Sequence, residues 1–586
     1  MPTLDDALRS VDEAFVAVAR EKAIPGVAWG VISGGRLAHS GGTGVVRDGE
    51  PTTPDSGTVY RIASMTKSFT AAAILLLRDE GRLRLDDPVA DHVRALASWS
   101  APSRDAAPIT IRQLLTMAAG LPTDDPWADR QQALPIDAFE ELLSAGPVFA
   151  WPPDTAFEYS NLGYGILGRV VTAAADREYR DVVRDRLMAP LGMTSSGYGE
   201  EDVPGERLAH GYLRVEDRLE REGADGYGAM AAMGGVYSSV SDLARWVAGF
   251  LDAFPARDDA DEVHPLRRSA RREMQQAHRM WPMSVDDHAA HARPGLEAGG
   301  YGYGLFNISR LDVGTIVGHG GGYPGYGSQM VWHPATGLGV VAAGNLRYAG
   351  VHAVAIDQLV ALVRADTAPR RALRPLPELT AAVDAAGALL EGWDDALADE
   401  WFAMNMDLDD ARERRRAAIE RAVADVGGPL RPDPAREVGM ASPAHRRWWL
   451  RGQRGWIDVG LRLSPEPNPK IQALRVTPVL DPPARLVDAR DRLLAAARAG
   501  TWPAALEATA AVDTGVAMRG LRVLAALFDP LDAGAVVAGD RRLTATWELG
   551  PRAGGATIRV DIDGETGRIS AVAPRIAARE APTEAW

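Results

Sequence analysis

The sequence predicts a mixed α/β chain of the α+β kind, and three observations carry that prediction. Two β-hairpin patterns, Gly26-Val-Ala-Trp-Gly-Val-Ile-Ser-Gly-Gly-Arg-Leu-Ala-His and Met330-Val-Trp-His-Pro-Ala-Thr-Gly-Leu-Gly-Val-Val-Ala-Ala, bracket a mostly helical stretch. Beyond a Pro/Arg-rich break at 366–378, a helical run followed by three strand-like runs occurs twice. With 586 residues, 46% of them hydrophobic, the chain can bury two or more cores.

In chain order, Met-Pro-Thr-Leu-Asp-Asp-Ala-Leu-Arg reads as an amphipathic helix with no charged-then-apolar leader, so cytoplasmic residence is the default expectation. After the first hairpin, Ser68-Phe-Thr-Ala-Ala-Ala-Ile-Leu-Leu-Leu-Arg-Asp-Glu-Gly81 is a run of helix formers closed by the glycine that a helix C-terminus favours. Its longest purely apolar run, Ala71 to Leu77, falls far short of the ~20 residues of a membrane span. Glu158-Tyr159-Ser160-Asn161-Leu-Gly-Tyr-Gly reads as a loop presenting a tyrosine and an asparagine. Gly318-His319-Gly320-Gly321-Gly322-Tyr-Pro-Gly, entered from the apolar Thr-Ile-Val at 315–317, reads as a strand whose backbone a partner can approach closely.

These elements give a first domain at 1–365, a linker at 366–378, and two α+β modules at 379–482 and 483–586. The first module is helical from 379 to about 426, with strands at 446–450, 456–463 and 471–476. The second is helical from about 486 to 528, with strands at 543–549, 556–562 and 567–572. Alternating apolar and polar residues give each sheet one wet face. Trp448, Trp449 and Trp456 read as core rather than as a ligand platform. With no catalytic constellation of their own, the modules point to a homo-oligomer, or to flanking a cleft, rather than to chemistry.

The chemistry concentrates at Arg61-Ile-Ala-Ser64-Met-Thr-Lys67. Only three of the 64 basic residues are lysines, namely Lys22, Lys67 and Lys470. Arginine cannot give up its proton in a protein, whereas lysine can once burial or neighbouring charge lowers its pKa. Lys67 is therefore a candidate base, three residues along a helix from a hydroxyl at or next to the helix start. That helix start also offers backbone N–H groups to an oxyanion.

Ser64-x-x-Lys67, the Tyr159/Asn161 pair and the His319 triplet resemble, in order and rough spacing, the class C β-lactamases and their relatives among D-alanyl-D-alanine carboxypeptidases, esterases and D-aminopeptidases. Pro190-Leu-Gly-Met193-Thr, Gly234-Gly-Val-Tyr-Ser-Ser-Val-Ser-Asp242, Gly302-Tyr-Gly-Leu and Gly344-Asn345-Leu extend the likeness over roughly residues 8 to 365. The resemblance implies a β-lactamase-like fold, an antiparallel sheet flanked by helices beside an all-helical lobe, with the site in the cleft. It implies Ser64 as the nucleophile of an acyl-enzyme, Lys67 and Tyr159 sharing the proton work, and Asn161 hydrogen-bonded to the acyl side of the substrate. The oxyanion would be held by backbone N–H groups of Ser64 and Gly322.

The chain departs from the β-lactamases at His319-Gly320-Gly321, where they carry Lys-Thr-Gly. The cation and hydroxyl that grip a β-lactam carboxylate are both missing, which weighs against strong β-lactamase activity and leaves His319 a place near Tyr159, tuning its pKa. The expected substrate is a small carboxylic ester or amide, hydrolysed without a cofactor. A D-amino-acid amidase or peptidase, and a non-catalytic acyl-ligand sensor, are the alternatives.

Other classes are excluded more directly. No serine has glycines at both minus two and plus two, so the lipase-type nucleophile elbow is absent although His319 begins a His-Gly-Gly-Gly run. Gly320-Gly-Gly-Tyr-Pro-Gly lacks the strand–turn–helix setting of a dinucleotide loop. The chain has no cysteine, so disulfides and thiolate metal sites are ruled out. His288-Ala-Ala-His291 lies in a polar loop and is not taken as a metal site. A net charge of −15 argues against nucleic acid.

Overall fold

The first hairpin closes through Gly34 and Gly35, both at positive φ as a two-residue turn of matching twist requires. It pairs Gly26–Ser33 with Arg36–Gly44. The computed structural model describes residues 4–99, 102–223, 225–261, 264–282, 284–286, 295–310, 312–365, 367–368, 373–433, 436, 439–499, 520–521, 523–525, 532–549, 556–566 and 568–576. The chain divides into two compact units, 1–292 with 296–371 and 293–295 with 372–586.

In the first unit the hairpin becomes one edge of a nine-stranded antiparallel sheet. From that edge the order is Arg36–Gly44, Gly26–Ser33, Leu338–Gly344, Tyr326–His333, Gly314–Tyr323, Phe306–Arg310, Gly295–Tyr301 and Arg279–Met280, with Ser284–Asp286 also pairing on Gly295–Tyr301. The central strands Tyr326–His333 and Leu338–Gly344 are buried along their whole length, because helices cover both faces. Leu4–Glu21 and Val351–Arg364 close one face around Phe15, Trp29, Val340 and Leu359. Val240–Asp252 packs on the other.

Most of the remaining helices of this unit form a lobe around Thr66–Asp79. That helix is buried on almost every side, from Thr66 to Leu75 and again at Leu77, which is why it runs purely apolar from Ala71 to Leu77 and why the polar side chains of its first turns must find partners inside the protein. Trp246 clamps it to the sheet side, stacking on Phe69 at 4.1 Å and donating its indole N–H to the Ser68 hydroxyl at 3.0 Å. Asn161–Ala175 packs alongside it, capped by Ser160.

The second unit contains two sheets. Pro377–Glu391, Asp395–Trp401, Met406–Asp409 and Arg412–Val426 precede a five-stranded sheet of Arg431–Pro432, Gly439–Ser442, His445–Arg451, Gly455–Leu463 and Ile471–Leu480. The first helix starts two residues before 379 because Pro377 sits in its first turn, where no intrahelical N–H is needed. Two short strands at the sheet's edge have no alternating pattern to reveal them. After the helix Ala484–Arg498 comes a four-stranded sheet of Ala533–Gly539, Thr544–Leu549, Ala556–Ile562 and Ile569–Ile576. Its first strand, Ala-Gly-Ala-Val-Val-Ala-Gly, has too little polar alternation to read as one. Most of the helical pattern expected over 499–528 lies outside the described residues. Among the described residues no helix is long and apolar enough to cross a membrane, and no group of three or more His, Asp or Glu could hold a metal ion. His288 and His291 lie outside them.

Gly304, in the turn between Gly295–Tyr301 and Phe306–Arg310, has φ +68, and an added Cβ would lie 2.4 Å from the Lys67 carbonyl oxygen. Gly304→Ala is expected to destabilise the chain by more than the roughly 1–2 kcal/mol of left-handed strain alone, because backbone must also shift. Urea denaturation with an unchanged slope and a lower midpoint checks this.

Candidate active site

Ser64 sits in a tight turn, Ala63–Met65, that leads directly into the helix Thr66–Asp79. Ala63 takes φ +50, a left-handed conformation that costs a residue with a Cβ about 1 kcal/mol or more and is held only by its surroundings. The surroundings are specific. The Ile62 N–H donates to the Val236 carbonyl at 2.9 Å, the Ile62 carbonyl accepts from Ser328 Oγ at 2.9 Å, and Thr66 Oγ1 accepts from the Val236 N–H at 3.1 Å. The turn is thus fixed from two sides, and Ser64 remains partly exposed while its neighbours are buried.

One helical turn on, Lys67 is fully buried, and its Nζ has three partners. Ser64 Oγ lies at 3.0 Å, Asn161 Oδ1 at 2.6 Å and the Met233 carbonyl at 2.9 Å. The carbonyl can only accept. The Asn161 amide is oriented by its other end, whose Nδ2 donates to Asp124 Oδ1 at 3.1 Å and Asp125 Oδ1 at 2.6 Å, so its oxygen must face the lysine. Two obligate acceptors match the two hydrogens of a neutral amine, leaving its lone pair for the Ser64 hydroxyl. Burial brings the Lys67 pKa down to about 8, opposed by the negative charges of Asp125, Asp124 and Asp129.

Asn161 differs from its expected role. Both of its amide hydrogens are committed to carboxylates, so it orients Lys67 and presents no free donor to a substrate. Asp124 is the residue behind it. Its carboxylate accepts the backbone N–H groups of Asn161 at 2.7 Å and Leu162 at 2.8 Å, where the first turn of a helix favours negative charge.

Tyr159 completes the group. Its hydroxyl is hydrogen-bonded to Ser64, and Lys67 Nζ lies 4.9 Å from its ring centre. Desolvation raises its pKa well above 10, and the Ser64 hydrogen bond does not offset that. Tyr159 is therefore a proton donor at neutral pH, while Lys67 is the group within reach of neutrality.

The strand Gly314–Tyr323 passes beside the Ser64 turn. A Cβ at Gly321 would lie 2.2 Å from the Ile62 carbonyl oxygen, and one at Gly322 would meet the Tyr348 ring at 2.4 Å. At Gly321 glycine lets strand and turn touch through their backbones, whereas at Gly322 it makes room for the Tyr348 ring. His319 faces the Tyr159 side, its ring centre 6.2 Å from that of Tyr159. Its Nδ1 lies 2.6 Å from the Gly320 carbonyl, which must accept, so Nδ1 carries the proton and Nε2 accepts the Tyr301 hydroxyl at 3.0 Å. Burial, with Lys67 nearby, lowers the His319 pKa to about 3. It is a neutral ring whose hydrogen bonds go to Tyr301 and Gly320, so the expected tuning of Tyr159 by a charged or hydrogen-bonded imidazole is not what its partners provide.

The structure thus brings Ser64, Lys67, Tyr159, Asn161, His319, Gly321 and Gly322 to one place. Sequence reasoning missed Asp124, Asp125 and the Met233 carbonyl. It also missed Tyr348, half exposed at φ +49 over Gly322 with its hydroxyl on Asp129. Asp124-Asp125-Pro126 carries only a helix-start signal, and a backbone carbonyl leaves no trace in sequence.

Residues 10–365 match the family model described as Beta-lactamase. Penicillin-binding protein 4 of Amycolatopsis lactamdurans is 31% identical over 254 residues, 42% of this chain and 64% of that protein. The D-alanyl-D-alanine-carboxypeptidase/endopeptidase AmpH of Escherichia coli (strain K12) is 28% identical over 237 residues, 38% of this chain and 57% of that one. The chain therefore spans about three-fifths of the length of these curated relatives. Among solved structures, the octameric penicillin-binding protein homologue from Pyrococcus abyssi has 19% identity, covers 95% of this chain and 96% of its own, and has a TM-score of 0.49.

Asp124→Ala removes one carboxylate and strands two helix N–H groups and an Asn161 hydrogen. The expected cost is about 1–3 kcal/mol in urea denaturation. A variant within a few tenths of wild type would show that Asp124 does not hold the start of this helix.

Proposed function

The chain belongs to the beta-lactamase family, and from that membership we propose that it is a serine hydrolase cleaving a carboxylic ester or small neutral amide through an acyl-enzyme on Ser64. The observation that carries this reading is the Lys67 amine, buried, 3.0 Å from the Ser64 hydroxyl and lowered to about 8. At pH 7 about a tenth of the molecules hold it neutral, enough for general-base catalysis. In the proposed reaction neutral Lys67 takes the Ser64 proton as Oγ attacks the carbonyl carbon. The backbone N–H groups of Ser64 and Gly322 receive the oxyanion. The tetrahedral intermediate collapses as the Tyr159 hydroxyl gives its proton to the leaving oxygen or nitrogen, and Lys67 restores that proton. Water then enters by the reverse route, releasing the acid and freeing Ser64.

His319 supports the choice of substrate class. A β-lactam or a peptide C-terminus brings a carboxylate beside the scissile bond, and the residue at the place of the family's lysine is here a buried neutral imidazole with both nitrogens engaged. An anion there forgoes charge-assisted hydrogen bonds of about 1.5–3 kcal/mol each; a neutral substrate loses nothing. Similarity to the Escherichia coli D-alanyl-D-alanine-carboxypeptidase/endopeptidase favours a second reading, a peptidase for D-amino-acid substrates. The missing cation weighs against it for free C-termini and leaves D-amino-acid amides within reach.

Three outcomes are expected. Ser64→Ala abolishes covalent labelling by a fluorophosphonate, and labelling retained at one site would remove Ser64 from the nucleophile's role. Lys67→Arg keeps the charge but not the option of neutrality, and should slow acylation by at least ~100-fold. For the wild type, kcat/KM should rise with pH through about 8, as the amine loses its proton; a flat profile from pH 6 to 9 would assign the base elsewhere.

A substrate panel tests specificity separately. Short-chain p-nitrophenyl esters or neutral amides should exceed nitrocefin and peptides with a free C-terminus by roughly ten- to a hundredfold in kcat/KM. Nitrocefin as the best substrate would overturn the neutral-substrate reading while leaving the Ser64 acyl-enzyme intact.

A further inference from the structure

The five-stranded sheet of the second unit uses its two faces differently. Trp448, Ile457, Val459 and Leu461 belong to the hydrophobic core beneath it, with Leu450 packed against them. The alternate residues, Arg447, Trp449 and Arg451 on one strand and Trp456 and Asp458 on the next, face the other way. Of the three tryptophans expected in the core, Trp448 belongs to the cluster beneath the sheet, Trp449 is equally buried but on the opposite face, and Trp456 is partly buried there.

On that second face guanidinium groups stack on indoles. The Arg436 Cζ lies 4.3 Å from the ring centre of Trp449 and 3.9 Å from that of Trp456. Arg451 lies 4.1 Å from Trp456 and Arg447 5.1 Å from Trp449. Arg447 and Arg451 also have carboxylate partners, Asp458 at 2.7 and 2.8 Å and Asp481 at 2.8 and 3.1 Å. Arg436 differs. Its Nη1 is buried with no hydrogen-bond partner among the described residues. Although burial lowers its pKa to about 10, it remains a cation at neutral pH.

Arg436 borders a cleft of about 390 Å3, within the size range of small-molecule sites. Trp456, Trp547, Val487 and Val536 give the cleft apolar walls; Arg490, 5.1 Å from the Trp547 ring centre, also borders it but is paired with Asp491 at 2.8 Å. Asp433 also lines it, accepting the Trp456 indole N–H at 2.7 Å. Stacking uses the faces of a guanidinium and leaves its edge, where the N–H groups are, for a planar acceptor. One unsatisfied cationic N–H with the carboxylates of Asp433, Glu548 and Asp458 nearby suits a single negative charge better than a dianion, and the apolar walls suit a hydrocarbon body.

We propose that this cleft is a binding site for a small apolar monocarboxylate, with Arg436 receiving the carboxylate and the Trp456/Trp547 walls the hydrocarbon. The site is independent of the chemistry at Ser64. The test is calorimetric titration of the full-length Ser64→Ala chain, in which no turnover is expected, with phenylacetate and its neutral isostere phenylacetamide. Phenylacetate should bind at least about tenfold more tightly than the amide, and adding Arg436→Gln should bring the two to the same level. Equal binding of acid and amide, no binding of phenylacetate at millimolar concentration, or acid binding unchanged by Arg436→Gln would each overturn the proposal. So would displacement of phenylacetate by equimolar inorganic phosphate, which would mark a general anion site. Should Arg436→Gln lose its fold, the comparison of acid with amide in the parent decides alone.

Discussion

An ammonium group buried among three acceptors is the constraint from which the rest of the first unit follows. Lys67 is fully enclosed, and its pKa of about 8 against an ordinary 10.5 means that folding disfavours its protonated form by roughly 3 kcal/mol. The folded value lies below the unfolded one, so that penalty is fully present below pH 8 and fades as the pH climbs toward 10.5. The fold bears it because the amine is tied at once to the Ser64 turn, the start of the helix Asn161–Ala175, and the Met233 carbonyl. Each tie needs its own support. Asn161 is held by Asp124 and Asp125, and the carbonyl next to that of Met233, on Gly234, accepts from the buried Arg61 at 3.3 Å.

Burial also divides the work among the titratable groups. The same desolvation lowers Lys67 and His319 and raises Tyr159, because it always opposes charge. Lysine comes within reach of neutrality, tyrosine keeps its proton, and histidine falls so low that it is an uncharged ring throughout the physiological range. Desolvation acts on all three, so what separates them is the sign of each charged form and the ordinary pKa each starts from, with the acidic residues near Asn161 opposing the fall of the lysine.

Much of this was legible in the sequence, and the reason is physical. A lysine in an arginine-using chain, three residues from a serine at a helix start, declares both the pair and its geometry, because helical spacing converts sequence distance into spatial distance. Gly321 and Gly322 were legible as places of close approach, although the approaching group at Gly321 is the Ile62 carbonyl rather than a ligand. What sequence could not carry were contacts made by backbone or across long separations. Met233 acts through its carbonyl, Asp124 works 37 residues from Asn161, and the Asn161 amide could be oriented only once its carboxylate partners were placed. In the second unit, strands with clean alternation were readable, and the short edge strands Arg431–Pro432 and Gly439–Ser442 were not.

Of the three hydrogen bonds that hold the turn carrying Ser64, one joins main chain to main chain, from the Ile62 N–H to the Val236 carbonyl, and two join a main-chain group to a hydroxyl, the Ile62 carbonyl to Ser328 and the Val236 N–H to Thr66. Main-chain groups are the same in every amino acid except proline, so replacing Ile62 or Val236 with another side chain leaves these hydrogen-bonding atoms in the protein. At the hydroxyl ends, by contrast, the bond lasts only while a hydroxyl stands there, so Ser328 and Thr66 are the positions at which the seat of Ser64 depends on side-chain identity.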